Sequence, residues 1–196
     1  MNRLNSFLTT PVAVIIGAVV ISIAILISGG IIKIGPKNVA TTNAPTPSPQ
    51  AQQALQGPLT VSPTNPNIKT FFQKKDAQVC KEDGRPIIYL FSTTWCPHCQ
   101  WIDETFDKVA KEYVNTGKIK AFHWQIDTGD NTLTEIKETK VPDKDLAIYS
   151  EFNPQGSIPT FVFGCKYFRT GNGYEQQKDL AAEEAEFREV IGDLLK

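Results

Sequence analysis

Residues Pro11 to Ile32 read PVAVIIGAVVISIAILISGGII, a run of 22 residues without a charged side chain. At about 1.5 Å per residue such a helix spans roughly 30 Å, the hydrocarbon core of a bilayer. A secretory h-region is shorter, about 7–15 residues, and closes on a small-residue cleavage site. Ser28-Gly29-Gly30 supplies small residues but no A-x-A pattern, and no nearby cysteine could accept a lipid. The run is also too long for an ordinary buried core helix. Residues 11–34 are therefore expected to form one transmembrane helix, a signal anchor, behind a short flank at 1–10; a cleaved signal peptide is the alternative. Arg3 lies on one side and Lys33 and Lys37 on the other, so the positive-inside rule does not fix orientation.

Beyond the apolar run the chain divides by composition. Residues 35–66 are rich in Pro, Thr, Ala, Gln and Asn and nearly free of large apolar side chains. Such a segment cannot bury enough surface to offset its ordering entropy, and it reads as a disordered linker. Residues 67–196 have the composition of one packed domain. The whole chain carries 20 Lys and Arg against 21 Asp and Glu, a net charge of −1, which gives no polyanion-binding surface and no nucleic-acid partner.

Within 67–196, Ile87–Phe91 (IIYLF) follows the turn signal Asp83-Gly84-Arg85-Pro86 and suits a buried central strand. Ile102, Phe106, Val109, Tyr113 and Val114 recur at helical spacing, with Gly117 at the C-cap position. Ile119–Ile126 reads as a second strand, and Phe161–Phe163 and Tyr167–Arg169 as two more joined by a tight turn. Leu180, Phe187, Val190, Ile191, Leu194 and Leu195 mark a terminal amphipathic helix. A strand–helix–strand unit followed by a hairpin and a helix predicts an α/β fold: a mixed sheet flanked by helices.

Cys96-Pro97-His98-Cys99 falls between the first strand and the first helix. There Cys96 would meet unpaired backbone N–H groups and about half a positive charge, which favour the thiolate, the nucleophile of disulfide exchange. Pro97 suits the first helical turn. Cys99, one turn in, is expected to be more buried and to resolve a mixed disulfide. His98, when protonated, would favour the Cys96 thiolate further and make the disulfide easier to reduce. Two other readings of the pair stay open: metal binding, and a purely structural disulfide. Tetrahedral zinc wants four ligands, and the remaining candidates, His123, Cys80 and Cys165, fall elsewhere in the expected fold.

With Trp95-Cys96-Pro97-His98-Cys99 followed about sixty residues on by Ser157-Ile158-Pro159-Thr160, the chain resembles the thioredoxin superfamily over nearly all of 67–196. The Cys-Pro-His-Cys form is similar to thiol oxidases of the DsbA type, which form disulfides outside the cytoplasm. The resemblance implies a thioredoxin-like sheet, a redox-active Cys96/Cys99 disulfide and no cofactor or metal. It implies a cis Ile158–Pro159 bond facing Cys96, with Ile158 and Pro159 forming a ledge for an extended substrate segment. Trp95, beside the nucleophile, is expected to be exposed and to touch substrate; Trp101 reads equally as core. The sequence departs from the family at one point. Six residues before the first active-site cysteine, where a buried acid is expected, stands Leu90. Asp127 and Glu104 are the candidate replacements.

Cys80 and Cys165 lie outside that motif. Both precede or end strands at the sheet edge opposite the active site, so a structural disulfide is expected, with two free thiols or a second redox relay as alternatives. Such a bond would put the domain in an oxidising compartment, outside the membrane. Between Asp127 and Ser157, a solvated turn with a helix N-cap at Asn131 or Thr132 is expected, then a short helix over Leu146–Phe152. Together these readings give a membrane-anchored, extracytoplasmic thiol–disulfide oxidoreductase. It would act on protein thiols or disulfides, in the oxidising direction, with an extracytoplasmic or membrane redox partner recycling it; a thioredoxin-like reductase of extracytoplasmic proteins and a non-catalytic metal- or protein-binding module are the alternatives.

Overall fold

The computed structural model describes residues 58–196. The expected transmembrane helix at 11–34 and the linker up to residue 57 lie outside the described residues. Among those described, no helix is long and apolar enough to cross a membrane.

In chain order the elements are β1 (Thr60–Val61), β2 (Phe72–Lys74), β3 (Lys81–Glu82), β4 (Arg85–Ser92), α1 (Pro97–Asn115), β5 (Lys120–Gln125), β6 (Asp130–Asn131), α2 (Asp143–Phe152), β7 (Thr160–Phe163), β8 (Tyr167–Thr170), a 3-10 turn at Glu175–Gln177, and α3 (Leu180–Leu194). The sheet order is β1-β2-β8-β7-β4-β5-β6, with β3 paired to the start of β4. Only β4 and β5 are parallel, joined by α1 as the crossover, and the other pairs are antiparallel.

Strand β4 is central and covered on both faces, which is why RPIIYLFS is apolar almost throughout. Its period of two sends Ile88 and Leu90 to the face that packs Ile102, Phe106 and Val109 of α1 and Phe187, Val190 and Ile191 of α3. Ile87, Tyr89 and Phe91 go to the other face, with Tyr149 and Phe152 of α2. The first core is aromatic: the Phe71 and Phe163 centroids are 5.2 Å apart and those of Phe161 and Phe187 are 5.4 Å apart. Arg169 is buried beside these rings and is tolerated because Glu183 pairs with it at 2.6 Å and Glu186 at 3.4 Å.

Cys80 and Cys165 are joined by a disulfide, with Cα atoms 5.4 Å apart. The Cys80 N–H donates to Gly164 O at 2.9 Å, which holds the segment before β3 against the β7–β8 turn. Gly164 has φ 62°, in the left-handed region, and a Cβ there would sit 2.6 Å from Leu194 Cδ2, so another residue would strain the turn and push that side-chain tip aside.

The structure departs from the sequence reading at the short elements. Thr60–Val61, within the expected linker, pairs with Gln73 and Lys74, so ordered pairing starts before residue 67. Asn131 is not a helix N-cap. It lies in β6, its side chain accepts the His123 backbone N–H at 2.9 Å, and the next helix starts only at Asp143. A side chain already engaged by a neighbouring strand cannot cap a helix, so the expected cap at Asn131 or Thr132 is corrected.

Candidate functional site

Strand β4 ends at Ser92, and the chain crosses Thr93–Trp95 before entering α1. This loop is pinned from β5's end by Asp127, whose carboxylate accepts the Thr94 N–H at 3.2 Å. Burial works to raise the Asp127 pKa, but the Thr94 hydroxyl and N–H outweigh it and lower the carboxyl below its usual range. Cys96 is the N-cap of α1: its sulfur accepts the Cys99 N–H at 3.3 Å, and Pro97 occupies the first turn. No acidic side chain sits in that turn, so the positive end of the helix is not cancelled locally.

Cys96 is 3 % exposed and Cys99 is fully buried; both are free thiols. Burial pushes the Cys99 thiol up to about 12, reinforced by its hydrogen bond with Cys96 and the charges of Cys96 and Asp103. A hydrogen bond with the Thr93 backbone works the other way. Between the cysteines, His98 turns outward. Its Nδ1 lies 2.8 Å from Glu175 Oε1, and its carbonyl accepts from Asn172 Nδ2 at 2.8 Å. The Cys96–Cys99 turn is thus tied to the loop before α3. Glu175 is held below the usual carboxylate range: burial raises it, but hydrogen bonds from Asn172 and His98 outweigh that.

The Ile158–Pro159 peptide bond is cis. Ile158 and Pro159 share a groove of about 550 Å³ with His98, Gly171, Glu175 and Lys178. The loop leading to it is fixed by Asn153, whose Nδ2 donates to Thr160 Oγ1 at 2.9 Å, and by Tyr149, whose hydroxyl donates to Ser157 O at 3.2 Å. Trp95 stands 68 % exposed at the rim of the turn, whereas Trp101 is half-buried against the aromatic core. The sequence-derived residues Cys96, Pro97, His98, Cys99, Ile158 and Pro159 therefore fall around one helix end and one groove.

The two replacement acids do not. Asp127 serves the Thr94 loop, and Glu104 lies on the exposed side of α1. What the sequence reading missed is His123, named there only as a candidate metal ligand. It is fully buried in β5, between Asp103 and Asp107 of α1. Asp103 and Asp107 follow Cys99 at intervals of four, a spacing that places all three on one stripe of the helix. Asn172 and Glu175 were missed too, because the loop that carries them has no periodic pattern. The metal reading loses two of its ligands, since Cys80 and Cys165 are bonded to each other.

A mixed α/β sheet with a cysteine pair opening the helix after its central strand, and with His98 of that turn sharing a groove with a cis-proline loop, defines a class of domain capable of thiol–disulfide redox chemistry. The chain belongs to the thioredoxin-like domain family, which matches it over residues 73–187. No curated protein and no solved structure matches it.

Proposed function

We propose that this protein is a membrane-anchored thiol–disulfide oxidoreductase working outside the cytoplasm, in the oxidising direction, on cysteines of other proteins. The observation that carries the redox reading is Cys96 as the N-cap of α1, with Cys99 one turn behind it and the Ile158–Pro159 groove alongside. A substrate thiolate attacks Cys96 of a Cys96–Cys99 disulfide, and Cys99 leaves as a thiolate that takes up a proton. The second substrate thiolate then attacks its own sulfur in the mixed disulfide, forming the substrate disulfide and releasing Cys96. Two electrons remain on the dithiol, and a disulfide-bearing or quinone-type membrane partner removes them. The Cys80–Cys165 bond supports an oxidising compartment, and the apolar run at 11–32 supports attachment to a membrane.

One observation favours the reverse direction. A Cys99 thiol at about 12 is a poor leaving group, as suits a reductase more than an oxidant. The reduction potential separates the two: about −120 mV accords with an oxidase and about −270 mV with a reductase. The common chemistry is tested by trapping. Cys99→Ala in the full-length chain should accumulate mixed disulfides through Cys96, visible as reductant-sensitive adducts, and a Cys96→Ala, Cys99→Ala double variant should form none. Equal adducts in both variants, or none in either, would sink the exchange reading.

A further inference from the structure

His123 is fully buried, yet both ring nitrogens face acceptors. Nδ1 lies 2.6 Å from Asp107 Oδ1 and 2.7 Å from Thr132 Oγ1. Nε2 lies 2.8 Å from Ser92 Oγ and 3.3 Å from Asp103 Oδ1, the latter an ion-pair distance rather than an aligned hydrogen bond. Burial opposes the charged ring, but the flanking carboxylates of Asp103 and Asp107 outweigh it and raise the imidazole above its ordinary value.

Asp103 is the middle of the stripe Cys99–Asp103–Asp107. Its Oδ1 is sealed from solvent and, among the described residues, has no hydrogen-bond partner. Its side chain as a whole is 27 % exposed. One edge of the group is thus inside, beside the buried thiol's turn, and the rest reaches the surface. An unpaired buried carboxylate oxygen costs stability, so its position calls for a partner that comes and goes. Leu90 supplies the second observation. It is in register with His123 on the neighbouring parallel strand, and both side chains face α1. The histidine–aspartate pair therefore reaches the same face, one strand over, as an acid at Leu90 would.

We propose that Asp103, oriented by His123, is the proton acceptor and donor for Cys99. The inference rests on the thiol–disulfide reading above. When a mixed disulfide on Cys96 is resolved, the Cys99 S–H gives its proton to Asp103 Oδ1, and the thiolate attacks Cys96 Sγ. The Cys96–Cys99 bond forms, and the bond from Cys96 to the substrate sulfur breaks. That sulfur leaves with the electron pair and is protonated by water. The protein dithiol loses two electrons and the substrate disulfide gains them. In the oxidising direction the same steps run backwards, and Asp103 returns the proton to the departing Cys99. His123 is a positioning residue in this scheme. Cys99 is faced by Cys96, by the Thr93 backbone, by Asp103 and, from α2, by Tyr149. The Tyr149 hydroxyl is engaged with Ser157 O, and burial raises its pKa, which leaves Asp103 as the base.

The test uses the full-length chain and oxidised glutathione as the probe. Cys99 is titrated in a Cys96→Ser background by the pH dependence of iodoacetamide alkylation. Resolution is followed in the intact dithiol by acid-quenched decay of the Cys96–glutathione adduct. Asp103→Asn should lower the Cys99 titration midpoint, because a negative neighbour is gone, and yet slow adduct decay at pH 7 by about tenfold or more. Asp103→Glu should restore the rate. His123→Gln, which covers the case of an unfolded Asp103→Asn, should raise the midpoint and also slow decay. Loss of packing alone would not move midpoint and rate in these opposite senses. Wild-type decay with an unmoved pH profile in Asp103→Asn would overturn the proposal. If the wild type forms no adduct, the functional reading fails instead. The Cys99 midpoint then decides alone: lowered by Asp103→Asn it upholds the coupling, unmoved it overturns it.

Discussion

Cys96 and Cys99 sit one helical turn apart, and that turn separates a sulfur that caps the helix from one sealed beneath it. The difference has a direct consequence. At pH 8 a thiol at about 12 is ionised in about one molecule in ten thousand, so it hardly reacts. Iodoacetamide added to the reduced chain at that pH should therefore modify Cys96 and leave Cys99 untouched, as read by peptide mass spectrometry. Modification of both at similar rates would contradict the burial described for Cys99. The residue types of this site were legible in advance because C-x-x-C between a strand and a helix is a local pattern. Asp103 and His123 were not, because they are twenty residues apart in sequence and meet only when α1 packs on β5.

At the scale of elements, long apolar segments declared themselves and two-residue strands did not. β4, β5, β7, β8, α1 and α3 each carry an apolar pattern that is answered in buried contacts, on both faces for β4 and β7. β1, β3 and β6 exist only through their partners: Thr60–Val61 through β2, Lys81–Glu82 through β4, Asp130–Asn131 through β5. The disulfide ties one such minor element to the β7–β8 turn, closing a loop of 85 residues. In the chain-entropy account a loop of that length stabilises the fold by about 4–5 kcal/mol. Replacing Cys80 and Cys165 together by alanine should lower the unfolding free energy by roughly that amount in a denaturant titration. A loss below about 1 kcal/mol would show that the reduced chain already holds this loop closed.

For the molecule as a whole, the proposed topology places residues 58–196 outside the membrane on a tether. A membrane-impermeant maleimide added to intact cells expressing the full-length chain should label Cys96 after mild reduction. Labelling only after the cells are opened would put the domain on the other side. The Cys80–Cys165 bond should be intact in the same cells, and its absence from protein isolated under thiol-blocking conditions would argue for a reducing compartment.

The Cys-x-x-Cys motif, the order of the main strands and helices, the loop that bears Pro159 and the convergence of Cys80 with Cys165 could all be read from the residues in order. The strands and helices rest on periodicity and turn chemistry, the Pro159 loop on the resemblance to a known family, and the cysteine convergence on the expected order of the strands. What surrounds the thiols emerged with the folded packing. It turned His98 toward Glu175, set Ile158 and Pro159 in a groove with the loop before α3, and brought His123 between Asp103 and Asp107 beside Leu90's strand. The reason is physical: a proton acceptor is defined by burial and by partners across strands and helices, and neither is written in the residues next to it.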